Sequence, residues 1–135
     1  MTKNSAEPLL YDIDDDGTPM LTGVRDSSGY VSYPRQDAGS LFNGDHGPAL
    51  TPVRLSGRGK IQATATVRLH PVPDIETPFT IAAVVLDEGP LVRGVLDVVD
   101  SGRIGDEVVA ITTVVRRGED EIHELRFHVK KKASA

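Results

Sequence analysis

The sequence predicts an all-β protein whose largest part is a small antiparallel barrel, and two observations carry this prediction. Residues 60–70 alternate polar and apolar side chains over eleven positions, which is the period of a strand with one buried and one solvated face. No segment keeps helical periodicity for more than two turns, so we expect little helix.

The first barrel strand is predicted at residues 59–70, after a glycine-rich turn. Its alternation places five apolar side chains on one side, which we expect to face the core: Ile61, Ala63, Ala65, Val67 and Leu69. Pro71 and Pro73 end the strand, because proline has no N–H to donate to a ladder.

Four more strands are predicted at residues 79–86, 91–99, 107–116 and 122–129. The sequence Asp-Glu-Gly-Pro at 87–90 has the composition of a turn, and the polar turn at 116–120 makes the last two strands a hairpin. Five strands without a helical crossover favour a closed or partly open antiparallel barrel. An OB-fold is the economical choice, because closure removes most of the strand edges.

The N-terminal part contains a shorter hairpin, in which strand-like residues 20–24 and 30–33 flank a polar turn ending at Gly29. This is the size of a zinc-ribbon knuckle, where two metal ligands three positions apart normally sit beside the glycine. The chain has no cysteine, so we predict a small zinc-ribbon-like hairpin that lacks metal ligands. Tyr30 and Tyr33 are expected to anchor it through apolar or hydrogen-bonded contacts.

These segments divide the chain into an N-terminal extension with the degenerate hairpin (1–52), an OB-fold barrel (53–130) and a C-terminal tail (131–135). Twenty acidic and fifteen basic residues give a net charge of -5, whereas nucleic-acid binders usually carry a basic footprint. The compact basic run at 130–132 is interpreted as a solvated terminus.

Composition excludes several further classes. The absence of cysteine rules out disulfides, thiolate catalysis and cysteine-ligated zinc. No apolar run approaches the roughly 18 residues of a membrane helix, and the first ten residues lack the apolar core of a signal peptide. We therefore expect no membrane association and a cytoplasmic location.

No catalytic or metal constellation emerges from the motifs. Asp12, Asp14, Asp16 and Gly17 match the start of a calcium loop, but Gly23 stands where the bidentate glutamate should be, which favours a solvated acidic turn. His46 lies alone in a polar loop, and the serines lack a nucleophile elbow or an adjacent base.

Four segments carry a family resemblance: GVRDSSGYVSYPR (23–35), LSGRGKI (55–61), PFTIAAVVLDEGP (78–90) and SGRIGDEVV (101–109). In their order and spacing the chain resembles the OB-fold proteins with an N-terminal rubredoxin-like zinc ribbon that accompany thiolase-type acyl-CoA enzymes, the domain-of-unknown-function family thirty-five. The chain departs from that family in its metal site, because Arg25 and Ser28 stand where the first cysteine pair aligns. The second pair has no clear equivalent.

The resemblance implies a non-catalytic accessory subunit in a hetero-oligomer with a thiolase-fold enzyme of acyl-CoA and lipid metabolism. In that family the partner is a thiolase, a hydroxymethylglutaryl-CoA synthase or a lipid-transfer-type aldolase. No cofactor of its own is expected, and acyl-CoA would be reached only through the partner's site. Arg58, Lys60 and Arg93 are our candidates for contact with CoA phosphates, since they are bases near glycines at strand ends.

An oligonucleotide-binding OB module is the alternative, and it rests on fold alone. Such modules stack bases on aromatic side chains inside a positive groove. The predicted barrel has one aromatic residue, Phe79, before Phe127, and the chain is acidic. The sequence therefore favours the accessory-subunit interpretation.

Overall fold

The computed structural model describes residues 2–34, 44–72, 75–116, 118 and 120–132. These residues form ten strands and one turn of 3-10 helix, Gly47–Ala49. The strands are β1 (Thr2–Ser5), β2 (Tyr11–Ile13), β3 (Pro19–Arg25), β4 (Val31–Ser32), β5 (Thr51–Arg54), β6 (Arg58–Val67), β7 (Phe79–Leu86), β8 (Leu91–Leu96), β9 (Glu107–Arg116) and β10 (Asp120–Lys131).

Strands β6 to β10 form a closed barrel, which confirms the predicted all-β, OB-type fold. The ring runs β6–β7–β8–β10–β9 and returns from β9 to β6. Four of its ladders are antiparallel, and the β8–β10 ladder is parallel. Predicted strand 79–86 has the observed bounds, while the strand predicted at 91–99 stops at Leu96.

A second, smaller sheet precedes the barrel, with β3 at its centre. β3 pairs antiparallel with β2, β4 and β5, and its pairing with β4 is the hairpin that the sequence predicts. β1 does not join this sheet, because it runs parallel to the first half of β10 from Thr2↔Asp120 to Ser5↔His123. The segment that precedes the N-terminal sheet thus pairs with β10 of the barrel, and the two sheets also pack against each other through a common core.

One apolar core is shared by the two sheets. Its buried members from the N-terminal sheet and from the barrel are Tyr11, Leu21, Val31, Leu55, Ile61, Ala82, Val84, Leu86, Val92, Leu96, Val108, Ala110 and Phe127. The Tyr11 hydroxyl donates to the His123 carbonyl at 3.2 Å and accepts from the Leu125 amide at 2.9 Å. These bonds satisfy the phenol where it is buried against β10.

The predicted inward face of the first barrel strand is wrong beyond Ile61. The register of β6 against β7 shifts between Ile61↔Val84 and Ala63↔Ala83, so Gln62 is an extra residue in a β-bulge. A bulge inserts one residue and exchanges the faces of the strand that follows. Ile61 therefore points to the core, whereas the next apolar residues of β6 point away from it: Ala63, Ala65 and Val67.

Leu69 also differs from its prediction, for a separate reason. β6 ends at Val67, and Leu69 lies in the following loop with 90% of its surface exposed. β9 pairs only with Arg58–Lys60 of β6, so β9 does not cover the second half of this strand on that edge.

The part of the chain that the structure describes contains no helix with the length and apolar character of a membrane span.

Candidate interaction surface

The side of β6, β7 and β8 that faces away from the core is apolar. Burial alternates along β7, with Thr80, Ala82, Val84 and Leu86 buried, so the intervening residues and their ladder partners point outward. Lys60, the partner of Val85, lies at the edge of this side. We call the other ten residues the outer sheet face: Ala63, Ala65, Val67, Phe79, Ile81, Ala83, Val85, Leu91, Arg93 and Val95. None of them is buried in the chain, and nine of the ten are apolar.

The loops at one end of this face extend the apolar surface. Residues 68–72, 75–78 and 97–106 lie at the same end of the sheet. Asp100 accepts from Arg68 at 3.1 Å and donates its amide to Thr80 of β7 at 2.9 Å. The Thr66 hydroxyl and Arg68 hold the pKa of Asp100 below its usual value. Exposed apolar side chains follow in these segments: Leu69, Val72, Ile75, Val98 and Val99.

Arg93 lies within the outer sheet face. Its ladder partner is Ala83, which in turn pairs with Ala63, and Leu91 and Val95 flank it along β8. Its side chain makes no hydrogen bond or ion pair with any residue that the structure describes. The guanidinium is therefore an unneutralised charge in an apolar setting.

Two of the three predicted CoA-contact residues line a groove elsewhere. Arg58 and Lys60 meet Lys130 and Lys131 in a groove of about 420 Å³ that also contains Asp87 and Glu107. The acids are engaged, since Asp87 lies 3.6 Å from Arg58 and Glu107 lies 4.0 Å from Lys131. Arg93 is not among the groove residues.

The sequence did not predict that the basic run at 130–132 contributes lysines to this groove. β10 continues to Lys131, so the strand carries two lysines of this run into the groove instead of leaving them in a free tail. Lys132 follows the strand and reaches the buried carboxylate of Asp106 at 3.4 Å. The alternation ends at Val129 and three lysines follow it, so no local pattern marks the continuation of the strand to Lys131.

The ribbon-like hairpin is held by carboxylates. Asp26 is buried, and its Oδ1 accepts from the Ser28 amide at 2.9 Å, the Ser28 hydroxyl at 2.5 Å and the Tyr30 amide at 3.1 Å. Asp45, from the following loop, accepts from the Ser27 amide at 2.8 Å and from its hydroxyl. Carboxylate hydrogen bonds therefore organise the turn.

The residues of the knuckle do not fit a zinc ion. Arg25 is exposed and cationic, and the Ser28 hydroxyl is engaged by Asp26. No group of three or more His, Asp or Glu side chains is placed to hold a metal within the described ranges. Of the two expected anchors, Tyr33 donates its hydroxyl to the Leu10 carbonyl at 2.8 Å, whereas Tyr30 is 46% exposed. Part of the second loop, residues 36–43, lies outside the described residues.

A buried polar cluster joins β9, β10 and the acidic turn. The Nδ1 atom of His123 lies 2.9 Å from the Thr112 hydroxyl, and its Nε2 atom lies 3.1 Å from Glu121. The Thr112 hydroxyl also lies 2.5 Å from the Gly17 carbonyl and donates to it. Because the hydroxyl proton is used there and His123 is only 5% exposed, this cluster serves as a structural clasp and offers no accessible nucleophile.

The acidic turn follows its predicted structural role. Asp14 Oδ1 accepts from the Asp16 amide at 3.0 Å and from the Thr18 amide at 2.8 Å. The Asp14 carboxylate thus stabilises the turn through backbone hydrogen bonds, as aspartate commonly does.

Comparison with known proteins agrees with this architecture. Residues 52–114 match a family described as the ChsH2 C-terminal OB-fold domain. The fold is similar to a chain of the solved Ltp2-ChsH2(DUF35) aldolase, with a TM-score of 0.60 and 22% sequence identity over 78% of this chain and 83% of that chain. Curated protein sequences give no match. The barrel region of this chain is therefore similar to the ChsH2-type C-terminal OB-fold domains, which supports the resemblance to the DUF35 OB-fold family.

Proposed function

We propose that this chain is a non-catalytic accessory subunit that binds and supports a thiolase-fold acyl-CoA enzyme. A thiolase, a hydroxymethylglutaryl-CoA synthase or a lipid-transfer-type aldolase would serve as the partner. The outer sheet face is the observation that carries the proposal. Contiguous exposed apolar surface on a soluble domain marks a site of protein interaction, and this face comes from the region that matches the ChsH2-type domain.

The polar groups of the structure support a role without catalysis by the chain itself. His123, the histidine with a hydroxyl and a carboxylate in reach, is sealed between strands. His128 is exposed and bonded to Asp97 at 2.7 Å, and no described residue places a nucleophile in contact with it. In this proposal the reacting groups belong to the partner, and the chain contributes surface and charge.

The cationic groove would meet CoA at the partner's site. Arg58 and Lys60 are retained as candidates for phosphate contact, and Lys130 and Lys131 join them because all four line one groove. Asp87 and Glu107 lower the net charge there, so contact would be through single exposed ammonium and guanidinium groups.

Oligonucleotide binding is not favoured by this surface. Base-stacking modules need several aromatic side chains in a basic groove, and the outer sheet face contains one aromatic residue, Phe79. The chain also carries a net charge of -5. The exposed face therefore fits a protein partner better than a single strand of nucleic acid.

Co-purification with a candidate thiolase-fold enzyme tests the proposal. We expect a stable complex in size-exclusion chromatography with light scattering, no turnover of acyl-CoA by the chain alone, and higher activity or solubility of the partner in the complex. Equal partner activity with and without the chain, together with no co-elution, would contradict it. Tight binding of single-stranded DNA at physiological salt would favour the alternative instead.

A further inference from the structure

The outer sheet face has a chemical asymmetry that constrains its occupant. Nine apolar side chains share this face with one guanidinium, that of Arg93, and the ammonium of Lys60 lies at its edge. Apolar docking removes water from the face, and an arginine that loses water without an anionic partner is strongly unfavourable. A complementary surface must therefore bring its own acid to Arg93.

This chain does not provide that acid within the described residues. Asp87 pairs with Arg58, and Glu124 pairs with Arg126 at 2.7 Å. Glu107 pairs with Lys131. Arg93 is therefore an unneutralised charge on the face, and Lys60 at its edge likewise has no ion pair among the described residues.

We propose that the outer sheet face docks on a partner protein whose matching surface is apolar and presents a carboxylate to Arg93. The proposal rests on the proposed accessory function, and it adds what the partner's surface must contain. Bidentate pairing of a guanidinium with a carboxylate is directional. Arg93 would therefore set the orientation in which the sheet lies on the partner, while the alanine and valine rows supply the contact area.

A second copy of this chain is a poor occupant. A twofold interface places the same patch of both copies against each other, so a dimer centred on the outer sheet face would bring two Arg93 side chains together. Asp87, Glu124 and Glu107 are already paired in each copy. Charge complementarity therefore requires a different chain.

A CoA phosphate is also a poorer match for Arg93 than for the groove residues. Arg93 is flanked by small and apolar side chains on a sheet surface, whereas Arg58 and Lys60 line a groove with two further lysines. A carboxylate carried on an apolar protein surface can be desolvated together with the sheet.

The test measures Kd for the complex with the thiolase-fold partner, using Arg93→Ala, Arg93→Lys and Arg93→Glu. Arg25→Glu is the matched control, because Arg25 is an exposed strand arginine in the other sheet. We expect Arg93→Glu to raise Kd by about 100-fold or more and Arg93→Ala by about 10-fold or more, since truncating one member of a desolvated charge pair is costly. Arg93→Lys should lie between wild type and Arg93→Ala, and Arg25→Glu should leave Kd within about threefold, as exposed charges away from an interface do.

Charge exchange makes the test specific. Reversing the partner's facing carboxylate to arginine should weaken binding of the wild-type chain and restore binding of Arg93→Glu. Circular dichroism and thermal midpoints should agree among the Arg93 variants, because the side chain is exposed in the free chain.

The outcomes separate the two proposals. A wild-type complex that Arg93→Glu leaves unchanged would overturn this inference and leave the accessory function standing. The absence of any complex with the wild-type chain would remove the accessory function and the docking surface with it. Three further results would overturn the docking role of Arg93: an Arg93-dependent homodimer, Arg93-dependent binding to phosphatidylserine vesicles, or an Arg93→Glu effect confined to the KM for acyl-CoA.

Discussion

The ring of Phe127 in β10 fills the space that a side chain at Gly94 of β8 would occupy. A Cβ atom at position 94 would lie 2.7 Å from Cε2 of Phe127 and 2.8 Å from its Cδ2. Phe127 is fully buried, and the β8–β10 ladder pairs Leu96 with Phe127 in parallel. Because Gly94 has no side chain, the ring of Phe127 can pack against β8 while β8 and β10 pair in parallel.

Gly94→Ala should destabilise the protein, because the added methyl group must displace the ring of Phe127 or the strand that carries it. Overpacking of this kind costs about 1–3 kcal/mol, which chemical denaturation would measure as a lower midpoint. Gly118→Ala is the control, since a Cβ there has no neighbour within 4 Å. Equal midpoints for Gly94→Ala and wild type would contradict the close approach.

The face exchange at Gln62 predicts opposite results for two valines. Val84→Asp should prevent folding, because Val84 is 0% exposed and an unpaired buried charge costs several kcal/mol. Val67→Asp should fold with a thermal midpoint near wild type, since Val67 is partly exposed on the outer sheet face. The same Val67 variant should weaken the partner complex. Unfolding of Val67→Asp would contradict the face exchange, because it would show that Val67 faces the core as uninterrupted alternation predicts.

The knuckle turn should depend on Asp26 more than on the residues that it binds. Asp26→Ala removes an acceptor of three hydrogen bonds and leaves two amides unpaired, at a cost of about 1–3 kcal/mol. Ser28→Ala removes the hydroxyl bond alone and should cost less. Hydrogen exchange of the Tyr30 amide reports the turn directly, and unchanged protection of that amide in Asp26→Ala would refute the assignment.

Zinc is expected to play no part in holding this hairpin. The carboxylate bonds of Asp26 and Asp45 link the turn to the following loop, and the chain has no cysteine. Incubation with a weak chelator should therefore leave the thermal midpoint unchanged. Elemental analysis that finds about one zinc per chain after dialysis would show this expectation to be wrong.

Tyr33 predicts how stability falls in alkali. Burial raises the pKa of Tyr33 to about 12, so between the ordinary phenol value and that pH the folded state keeps a proton that the unfolded state has lost. The linked stability is present below the unfolded-state pKa and is lost as pH rises toward about 12. Urea titrations should give a smaller stability loss from this region for Tyr33→Phe than for wild type. Parallel losses in the two proteins would contradict the assignment.

The sequence predicted the strands of the barrel better than it predicted their faces. A continuous apolar run that ends at a turn identified residues 79–86 as a strand with the observed bounds. The alternation used for the strand before it failed after Ile61, since Gln62 bulges in the ladder to β7 and nothing in a single alternating segment marks the residue at which the register shifts. The outer sheet face could therefore not be predicted from the sequence.

The candidate site was only partly predictable for a similar reason. Arg58 and Lys60 were found by their place beside glycines at a strand start, and the fold brings them together. Their separation from Arg93 depends on strand order and on the pairing of β8 with β7. The role of Asp26 was missed because an aspartate in a polar turn has the same local signature whether its carboxylate is solvated or buried.

The extra residue at Gln62 also bears on how such a domain changes during descent. Loss of that one codon would rotate the rest of β6 by half a pleat, so that Thr64 and Thr66 would look outward and Ala63, Ala65 and Val67 inward. The part of the outer sheet face that β6 contributes would then carry threonine hydroxyls instead of apolar side chains, without any change in the strand order. A single residue at this position therefore determines which face of the second half of β6 is apolar.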